Sequence, residues 1–247
     1  MTLPSLLIAC QLRLMKKRMT SILQPLNWLL PAGVHAATTL RFPGSSEREF
    51  AGLNLGTHVG DDLFAVEQTR QMLSAALGEA VKPAYINQVH GHDVIELNSD
   101  DYQKLCLRAG DANLPSDADA LYTQDQNLAL VVQVADCLPI LLSDKNGQEV
   151  AAVHAGWRGL ASGVISQALE KFESKSLTAW LGPAIGPCHY QVDSGVYDRF
   201  ESASAFKSCG DGAHWMMSLE TLATEQLIEG GLDEVDIVAT NTCTYCH

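Results

Sequence analysis

The sequence lacks three features, each of which would point to a class of protein. It has 16 Lys and Arg residues against 29 Asp and Glu residues, a formal net charge of −13, so nucleic acid is not an expected partner. No apolar run reaches the ~18–20 residues of a membrane helix, since the best candidate, 128–142, contains Asp136 and Pro139. The seven cysteines are odd in number and scattered, unlike a disulfide scaffold. The composition therefore predicts a cytoplasmic protein that binds neither nucleic acid nor membrane.

The N-terminal segment has the reverse order of a secretory signal. Residues 1–10 are apolar and basic residues follow at 16–18, whereas a signal peptide carries its positive charge first. Met19 directly follows the basic cluster. We therefore predict that residues 1–28 are an N-terminal extension in which Met19 is the true start, and that one domain spans residues 29–247.

Short apolar runs separated by turn residues dominate the middle of the chain and indicate strands. Because these strands occur in clusters rather than alternating with helices, they predict an α+β fold. We expect a single domain with a mixed β-sheet core flanked by helices. Strands are predicted at 34–41, twice within 84–97 around Gly91, and at 120–123, 128–134, 138–143, 149–154, 177–182 and 235–240; helices are predicted from an Asp61 cap to Gly78 and at 159–175, 195–201 and 219–229.

Polar residues interrupt the most apolar part of the chain. Asp136 and Cys137 lie between two apolar runs, and burying even a neutral polar group without a partner costs about 2–7 kcal/mol. His154 ends the next apolar run, and His90 ends an earlier one. Two imidazoles and a thiolate at strand ends would suit Zn²⁺ with its fourth position open, as in catalytic zinc sites. Three unrelated residues, with Cys137 as inert core, explain the spacing equally well.

Arg158 precedes the predicted helix 159–175 and follows the glycine at 156. Free N–H groups at a helix start, together with a guanidinium, form a site for an anion such as phosphate. An arginine at a helix start is also often a plain surface residue. Arg158 alone therefore gives only a candidate phosphate site.

The end of the sequence contains a literal C-x-x-C-H pattern at Cys243, Cys246 and His247. This pattern is the attachment site of c-type haem, which requires export to an oxidising compartment. Half of a zinc ribbon would require a second C-x-x-C, and the sequence has none. We therefore interpret the pattern as a chance occurrence.

Five motifs carry a resemblance to a known family. They are N-L-G-T-H-V-G-D-D at 54–62, N-Q-V-H-G at 87–91, A-D-C-L-P at 135–139, V-H-A-G-W-R-G at 153–159 and L-G-P-A-I-G-P at 181–187. In this order and at these separations they resemble the YfiH or laccase-domain family, whose members are called polyphenol oxidases, purine nucleoside phosphorylases or peptidoglycan editing factors. The chain departs from the family pattern at Pro43-Gly44, and it is expected to be truncated after 243–245, where relatives continue with an arginine-containing segment.

The resemblance implies a zinc-dependent purine nucleoside phosphorylase. Its substrates would be phosphate and adenosine, inosine or methylthioadenosine, its products a free base and a pentose 1-phosphate, and adenosine deamination a side activity. Asp136, the carboxylate nearest to Cys137 in sequence, is our candidate general acid/base. The assigned residues are His90, Cys137 and His154 for zinc, Cys137, Arg158, Asn54 and Asp136 for catalysis, and Arg41, Gln88 and Arg158 for substrate.

Three other functions remain open at this stage. Two histidines and a cysteine are also a blue-copper ligand set, which gives a copper-dependent polyphenol oxidase, and Cu²⁺ is expected to compete with Zn²⁺ in vitro. Cys137 with a histidine base would suit a hydrolase that edits peptidoglycan precursors. A non-enzymatic zinc-binding module is the third alternative. The protein is expected to be a monomer or a homodimer.

Overall fold

A computed structural model of the protein describes residues 5–11, 22–100, 102 and 116–246. Its strands fall into three sheets, with five, six and three strands. The strands are β1 (Ser5–Gln11), β2 (Leu23–Pro25), β3 (Val34–Thr39), β4 (Lys82–Ala84), β5 (Val94–Glu96), β6 (Ala120–Thr123), β7 (Leu128–Val134), β8 (Leu138–Asp144), β9 (Val150–Ala155), β10 (Leu177–Leu181), β11 (Gln191–Asp193), β12 (Phe206–Ser208), β13 (His214–Met217) and β14 (Ile237–Ala239).

The two larger sheets both mix parallel and antiparallel pairs. The five-stranded sheet has the order β2-β3-β1-β7-β4, and only β4 pairs in parallel, with β7. The six-stranded sheet has the order β14-β10-β8-β9-β6-β5, with parallel pairs at both edges and antiparallel pairs in its centre. The small sheet, β11-β13-β12, is antiparallel throughout.

The helices found among the described residues cover the outer faces of the two large sheets. They are α1 (Leu63–Leu77), α2 (Trp157–Ser162), α3 (Val164–Glu170), α4 (Ser194–Tyr197) and α5 (Leu219–Glu229), with 3₁₀ turns at Arg48–Phe50 and Glu234–Asp236. Within the same described ranges, no helix combines the length and the apolar composition needed to cross a bilayer.

Alternating side chains give the molecule its layers. In β7, Leu128, Leu130 and Val132 pack between the two large sheets, whereas Ala129 and Val131 pack toward α1. The same alternation divides β8 and β9 between the space shared by the sheets and the core under α2, α3 and α5. Because side chains along a strand point alternately to opposite faces, continuous apolar runs bury both faces of a sheet. The order of layers is α1, five-stranded sheet, six-stranded sheet, then the other helices.

The predicted α+β class is confirmed, and so is the mixed strand pairing. The strands 120–123 and 128–134 and the helix 219–229 match the prediction residue for residue. Three local predictions were wrong. Asp62 rather than Asp61 caps α1, because its carboxylate accepts from the backbone N–H groups of Phe64 and Ala65.

The predicted helix 159–175 is two helices. Gly163 lies between α2 and α3 in the left-handed region, with φ of 91° and ψ of 31°, and so changes the helix direction. The predicted pair of strands within 84–97 is mostly loop, since β4 ends at Ala84 and β5 begins at Val94. His90 therefore lies in a loop, with φ of 61°, and not at a strand end.

Candidate metal centre

Three segments far apart in sequence bring His90, Cys137 and His154 together. The loop between β4 and β5 carries His90, the turn between β7 and β8 carries Cys137, and β9 carries His154. Their ligand atoms all lie within 4.8 Å of one another. Cys137 Sγ is 3.8 Å from His90 Nε2, and the two imidazole rings meet edge to face with centroids 4.8 Å apart. The side chains predicted to bind zinc thus form one cluster.

A buried carboxylate that the sequence analysis missed organises this cluster. Asp119 Oδ1 accepts hydrogen bonds from His154 Nδ1 at 2.7 Å and from the backbone N–H of His90 at 2.9 Å. Asp119 Oδ2 accepts from the backbone N–H of Gly91 at 2.6 Å and of Val89 at 3.2 Å. These bonds hold the left-handed turn at His90 and fix the His154 ring. The only hint in the sequence is a carboxylate directly before the apolar strand 120–123.

Hydrogen bonds and charge decide the protonation of these side chains. Burial would lower the pKa of His154, but Asp119 and the Cys137 sulfur raise the pKa of this imidazole to about 9. Burial would raise the pKa of Asp119, but hydrogen bonds from His154 and from backbone N–H groups lower it. Burial and the charge of His154 lower the pKa of His90. Asp119 is therefore ionised and accepts the proton on His154 Nδ1, which turns Nε2 toward the other two side chains; an ion bound there would displace the second proton that the raised pKa of His154 implies.

A glycine keeps room for an ion beside the three ligands. A Cβ atom added at Gly156 would lie 2.9 Å from Cys137 Sγ and 3.3 Å from His90 Cδ2. A side chain at this position would therefore occupy the space between the ligand atoms. Two imidazoles, one thiolate and a carboxylate behind one imidazole are a donor set that suits zinc with an open fourth position. The residues present fit a zinc ion.

Arg158 and Tyr190 lie beside the cluster. The Arg158 guanidinium packs over the Trp157 ring, 4.5 Å from its centroid, and its positive charge contributes to the lowered pKa of His90. Burial and the charge of Cys137 raise the pKa of Tyr190 to about 12, against the charge of Arg158. Arg158 thus places a cation near the three ligands. Arg158 is the second residue of α2, which is only six residues long.

Asn54 and Arg41 brace one loop. Asn54 is fully buried, its Nδ2 donates to Asp61 at 2.8 Å, and its Oδ1 accepts from the backbone N–H of Gly56 at 3.0 Å. Arg41 Nε donates to the carbonyl of Ala51 at 3.1 Å, on the surface. Among the described residues, no hydrogen bond or ring contact joins either side chain to the cluster. Their active-site roles stay predictions.

Gln88 and Asp136 hold the two segments that carry His90 and Cys137. Gln88 Nε2 donates to the carbonyl of Gln133 at 2.7 Å, and Gln88 Oε1 accepts from the Gln133 N–H at 2.7 Å. These bonds tie the His90 loop to the end of β7. Asp136 Oδ1 accepts from the Thr244 hydroxyl at 2.6 Å, and its carbonyl accepts from the Ile185 N–H at 2.8 Å.

Comparison with known proteins identifies the fold family. The model of the family described as multi-copper polyphenol oxidoreductase laccase matches residues 35–247. The chain belongs to this family. The resemblance that rested on five motifs is thereby confirmed, and the laccase-domain family has members at substantial identity to this chain.

Relatives named purine nucleoside phosphorylase cover most of the chain. The Shigella flexneri protein named purine nucleoside phosphorylase YfiH is 37% identical over 232 residues, which are 92% of this chain and 90% of that protein. A purine nucleoside phosphorylase of Haemophilus influenzae is 37% identical over 227 residues, which are 89% of this chain and 87% of that protein.

Two crystal structures share the fold. A Neisseria meningitidis protein superposes with a TM-score of 0.81 at 33% identity, covering 92% of this chain and 90% of that one. YlmD from Geobacillus stearothermophilus has a TM-score of 0.81 at 28% identity, covering 96% of this chain and 90% of that one. The laccase-domain fold, with its two large sheets, therefore extends over nearly the whole chain.

Proposed function

We propose that the protein is a zinc-dependent purine nucleoside phosphorylase. Its substrates are phosphate and adenosine, inosine or methylthioadenosine, and its products are the free base and a pentose 1-phosphate. The observation that carries the proposal is the convergence of His90, Cys137 and His154 next to the cation of Arg158. The names of the Shigella flexneri and Haemophilus influenzae relatives support the same reaction.

His90, Cys137 and His154 would hold the zinc ion, and Asp119 would keep His154 in the tautomer that binds through Nε2. When bound, zinc supplies a Lewis acid that polarises an oxygen of the substrate or of phosphate. Gly156 keeps the space next to the thiolate free for the reactants. Cu²⁺ would occupy the same ligands in vitro. The thiolate ligand favours a reducing cytoplasm as the working compartment.

Arg158 would bind phosphate, because a guanidinium presents paired donors to phosphate oxygens. Its stacking on Trp157 limits the positions that the guanidinium can adopt and so orients the bound anion. In the reaction, a phosphate oxygen forms a bond to the anomeric carbon as the bond from that carbon to the base nitrogen breaks. The electron pair goes to the base, which takes up a proton.

Asp136 is the proposed general acid/base, held in place by the Thr244 hydroxyl at 2.6 Å. The same group would serve a side deamination of adenosine, in which water replaces the six-amino group and ammonia leaves. Asn54, Arg41 and Gln88 complete the proposed site, Asn54 in catalysis and the other two in substrate binding. Gln88 ties the His90 loop to the end of β7, which supports its part of this assignment, whereas the hydrogen bonds of Asn54 and Arg41 stay within their own loop.

Copper-dependent phenol oxidation is the second candidate, and the description of the family model favours it. Reduction of oxygen by a laccase requires a trinuclear copper cluster with many histidines. In the ranges that the structure describes, two His/Cys groups could hold a metal. The group of His90, Cys137 and His154 contains two histidines, and a second group, at residues 188, 189, 243 and 246, contains one. These groups hold too few histidines for a trinuclear copper cluster, which favours phosphorolysis over a multicopper reaction.

Phosphate-dependent release of base from adenosine and inosine tests the proposal, with zinc content measured on the same samples. The wild type is expected to release base only with phosphate, and Cys137→Ala is expected to lose both zinc from this site and activity. Cys209→Ala is the matched control, because Cys209 is an exposed free cysteine outside both metal-ligand groups.

Three outcomes would overturn the proposal. Zinc-loaded wild type that cleaves no nucleoside, with or without phosphate, excludes the phosphorylase. Base release that proceeds equally without phosphate identifies a hydrolase. Oxygen uptake with a phenol and Cu²⁺, in the absence of nucleoside cleavage, supports the copper candidate instead.

A further inference from the structure

A second cluster of metal-binding side chains lies where the C-terminal turn meets the loop after β10. Cys188, His189, Cys243 and Cys246 present four ligand atoms that all lie within 4.8 Å of one another. Cys188 Sγ is 3.6 Å from Cys246 Sγ, which is 3.4 Å from His189 Nδ1. The C-x-x-C pair that the sequence analysis attributed to chance is therefore half of a compact group.

Backbone hydrogen bonds build this cluster from two segments. The N–H of Ala184 donates to the carbonyl of Thr242 at 3.2 Å, and the N–H of Thr244 donates to the carbonyl of Ala184 at 3.0 Å. The His189 N–H donates to the Gly186 carbonyl at 3.0 Å and closes a turn. This turn directs residues 188 and 189 toward Cys243 and Cys246. These contacts fix the spacing between the two segments without help from the cysteines.

Local contacts favour a thiolate at Cys243 and orient the other ligands. The Gly186 N–H donates to Cys243 Sγ at 3.2 Å. A Cβ atom added at Gly186 would lie 3.0 Å from Cys243 Cβ and 3.4 Å from Cys188 Sγ, so glycine is what lets the loop approach. The His189 ring stacks on Tyr245, with centroids 3.9 Å apart and planes 25° apart, which limits its rotation. The cluster is thus oriented before any ion binds.

We propose that Cys188, His189, Cys243 and Cys246 form a second, structural zinc site. Zinc–sulfur bonds of ~2.3 Å and zinc–nitrogen bonds of ~2.0–2.1 Å give a tetrahedron with edges of about 3.5–3.8 Å. Of the six edges, the separation of 3.6 Å between the Cys188 and Cys246 sulfurs lies in this range, and that of 3.4 Å between Cys246 Sγ and His189 Nδ1 is just below it. Four protein ligands leave no open position, which is the arrangement of structural zinc. This site goes beyond the proposed function and does not depend on it.

The second site would stabilise the first through Asp136. Ile185, in the loop that carries Cys188 and His189, donates its N–H to the Asp136 carbonyl at 2.8 Å. Thr244, between the two C-terminal cysteines, donates its hydroxyl to Asp136 Oδ1 at 2.6 Å. Asp136 directly precedes Cys137. An ion that joins the two segments would therefore fix the backbone that positions the thiolate of the first cluster.

Counting zinc in protein purified under reducing conditions tests the proposal without any activity assay. We expect two zinc ions per chain in the wild type and one in Cys246→Ser. Cys137→Ser is expected to keep one, held by the second site. Cys209→Ser is the control, because its exposed thiol lies outside both groups, and it is expected to keep two.

Cobalt substitution of the wild type gives a readout that does not depend on any variant folding. Two equivalents of Co²⁺ are expected to bind. The second site, with three thiolates, should give a more intense thiolate-to-cobalt charge-transfer absorption than the first site, with one. His189→Ala should weaken this absorption and leave the first site loaded. The proposal is overturned if the wild type binds one ion that Cys246→Ser retains and Cys137→Ser loses. A Cys188–Cys246 disulfide in freshly reduced protein, with one zinc bound, overturns it as well.

Discussion

A single buried carboxylate positions two of the three side chains assigned to the first metal. Asp119 is fully buried, bonds the His154 ring through one oxygen and accepts three backbone N–H groups around His90. The ligands of a metal are commonly fixed by such partners, and losing one weakens metal binding. Asp119 therefore acts on the site through His90 and His154 rather than by touching the substrate.

At the residue scale, Asp119→Asn is expected to weaken zinc binding at the first site by about 10–100-fold. An asparagine has one acceptor oxygen, so it cannot serve the imidazole and all the backbone donors together. Competition with a chromophoric chelator measures the dissociation constant directly.

Asp211→Asn provides a close control for that measurement. Asp211 also bonds a histidine Nδ1, that of His214 at 2.6 Å, and accepts the backbone N–H groups of Ala213 and His214, but it is exposed and outside both ligand groups. The Asp211→Asn variant should therefore bind zinc with the same affinity as the wild type. Equal affinity of both variants would contradict the role given to Asp119.

At the scale of elements, Gly163 decides where one helix ends and the next begins. Its φ of 91° lies in the region that costs an ordinary residue about 1–2 kcal/mol. A Cβ atom there would meet only the Ser166 hydroxyl, at 3.1 Å, so the backbone is the main constraint. Gly163→Ala is expected to lower the free energy of unfolding by about that amount in urea titrations.

Gly163→Asn separates this cause from a loss of packing. Asparagine visits the left-handed region more readily than alanine, so the loss of stability should be smaller despite the larger side chain. A larger loss for asparagine than for alanine would show that crowding, not backbone conformation, sets the cost.

The central strands could be predicted because burial of both sheet faces makes them continuously apolar. The 120–123 and 128–134 segments show this clearly. The region 84–97 misled the prediction, since the apolar residues near His90 are held by hydrogen bonds to Asp119 and Gln133 rather than by a strand ladder. Those partners are remote in sequence, so no local pattern reveals them.

At the scale of the whole molecule, Glu149 links three parts of the core and makes stability depend on pH. Glu149 is 5% exposed; its Oε1 accepts from the Tyr122 hydroxyl at 2.6 Å and the Glu173 N–H at 2.8 Å, and its Oε2 accepts from the Ser174 N–H at 2.9 Å. Burial would raise the pKa of Glu149, but these hydrogen bonds lower it below the ordinary 4.5.

A carboxyl whose pKa is lower in the folded chain contributes its stabilisation fully above the unfolded value, here 4.5. That contribution is lost as the pH falls through the folded pKa. We expect the free energy of unfolding of the wild type to decrease as the pH is lowered below 4.5. The free energy of unfolding of Glu149→Gln should decrease less steeply over the same range. The difference in slope is at most about 1.4 kcal/mol per pH unit for one proton.

Urea titrations between neutral pH and the acid range measure these slopes. Glu229→Gln, at the exposed end of α5, is the control and should follow the wild type. Parallel curves for Glu149→Gln and the wild type would show that another group governs acid unfolding.

The site was only partly visible in the sequence. His90, Cys137 and His154 could be found because each ends or interrupts an apolar run, and the laccase-domain motifs supported the choice. Asp119 could not, because its bonds reach residues 29 and 35 positions away. The second cluster was missed for the same reason, since Cys188 meets Cys246 across 58 positions.

The hydrogen bond between Thr244 and Asp136 spans 108 positions of the chain. Contacts between residues so distant in sequence slow folding, because the loop must close before they form. During synthesis, β7, β8 and β9 leave the ribosome long before residues 243–246 arrive. We therefore expect the nascent chain to assemble its sheet framework first and to fix the position of Cys137 only in a late step.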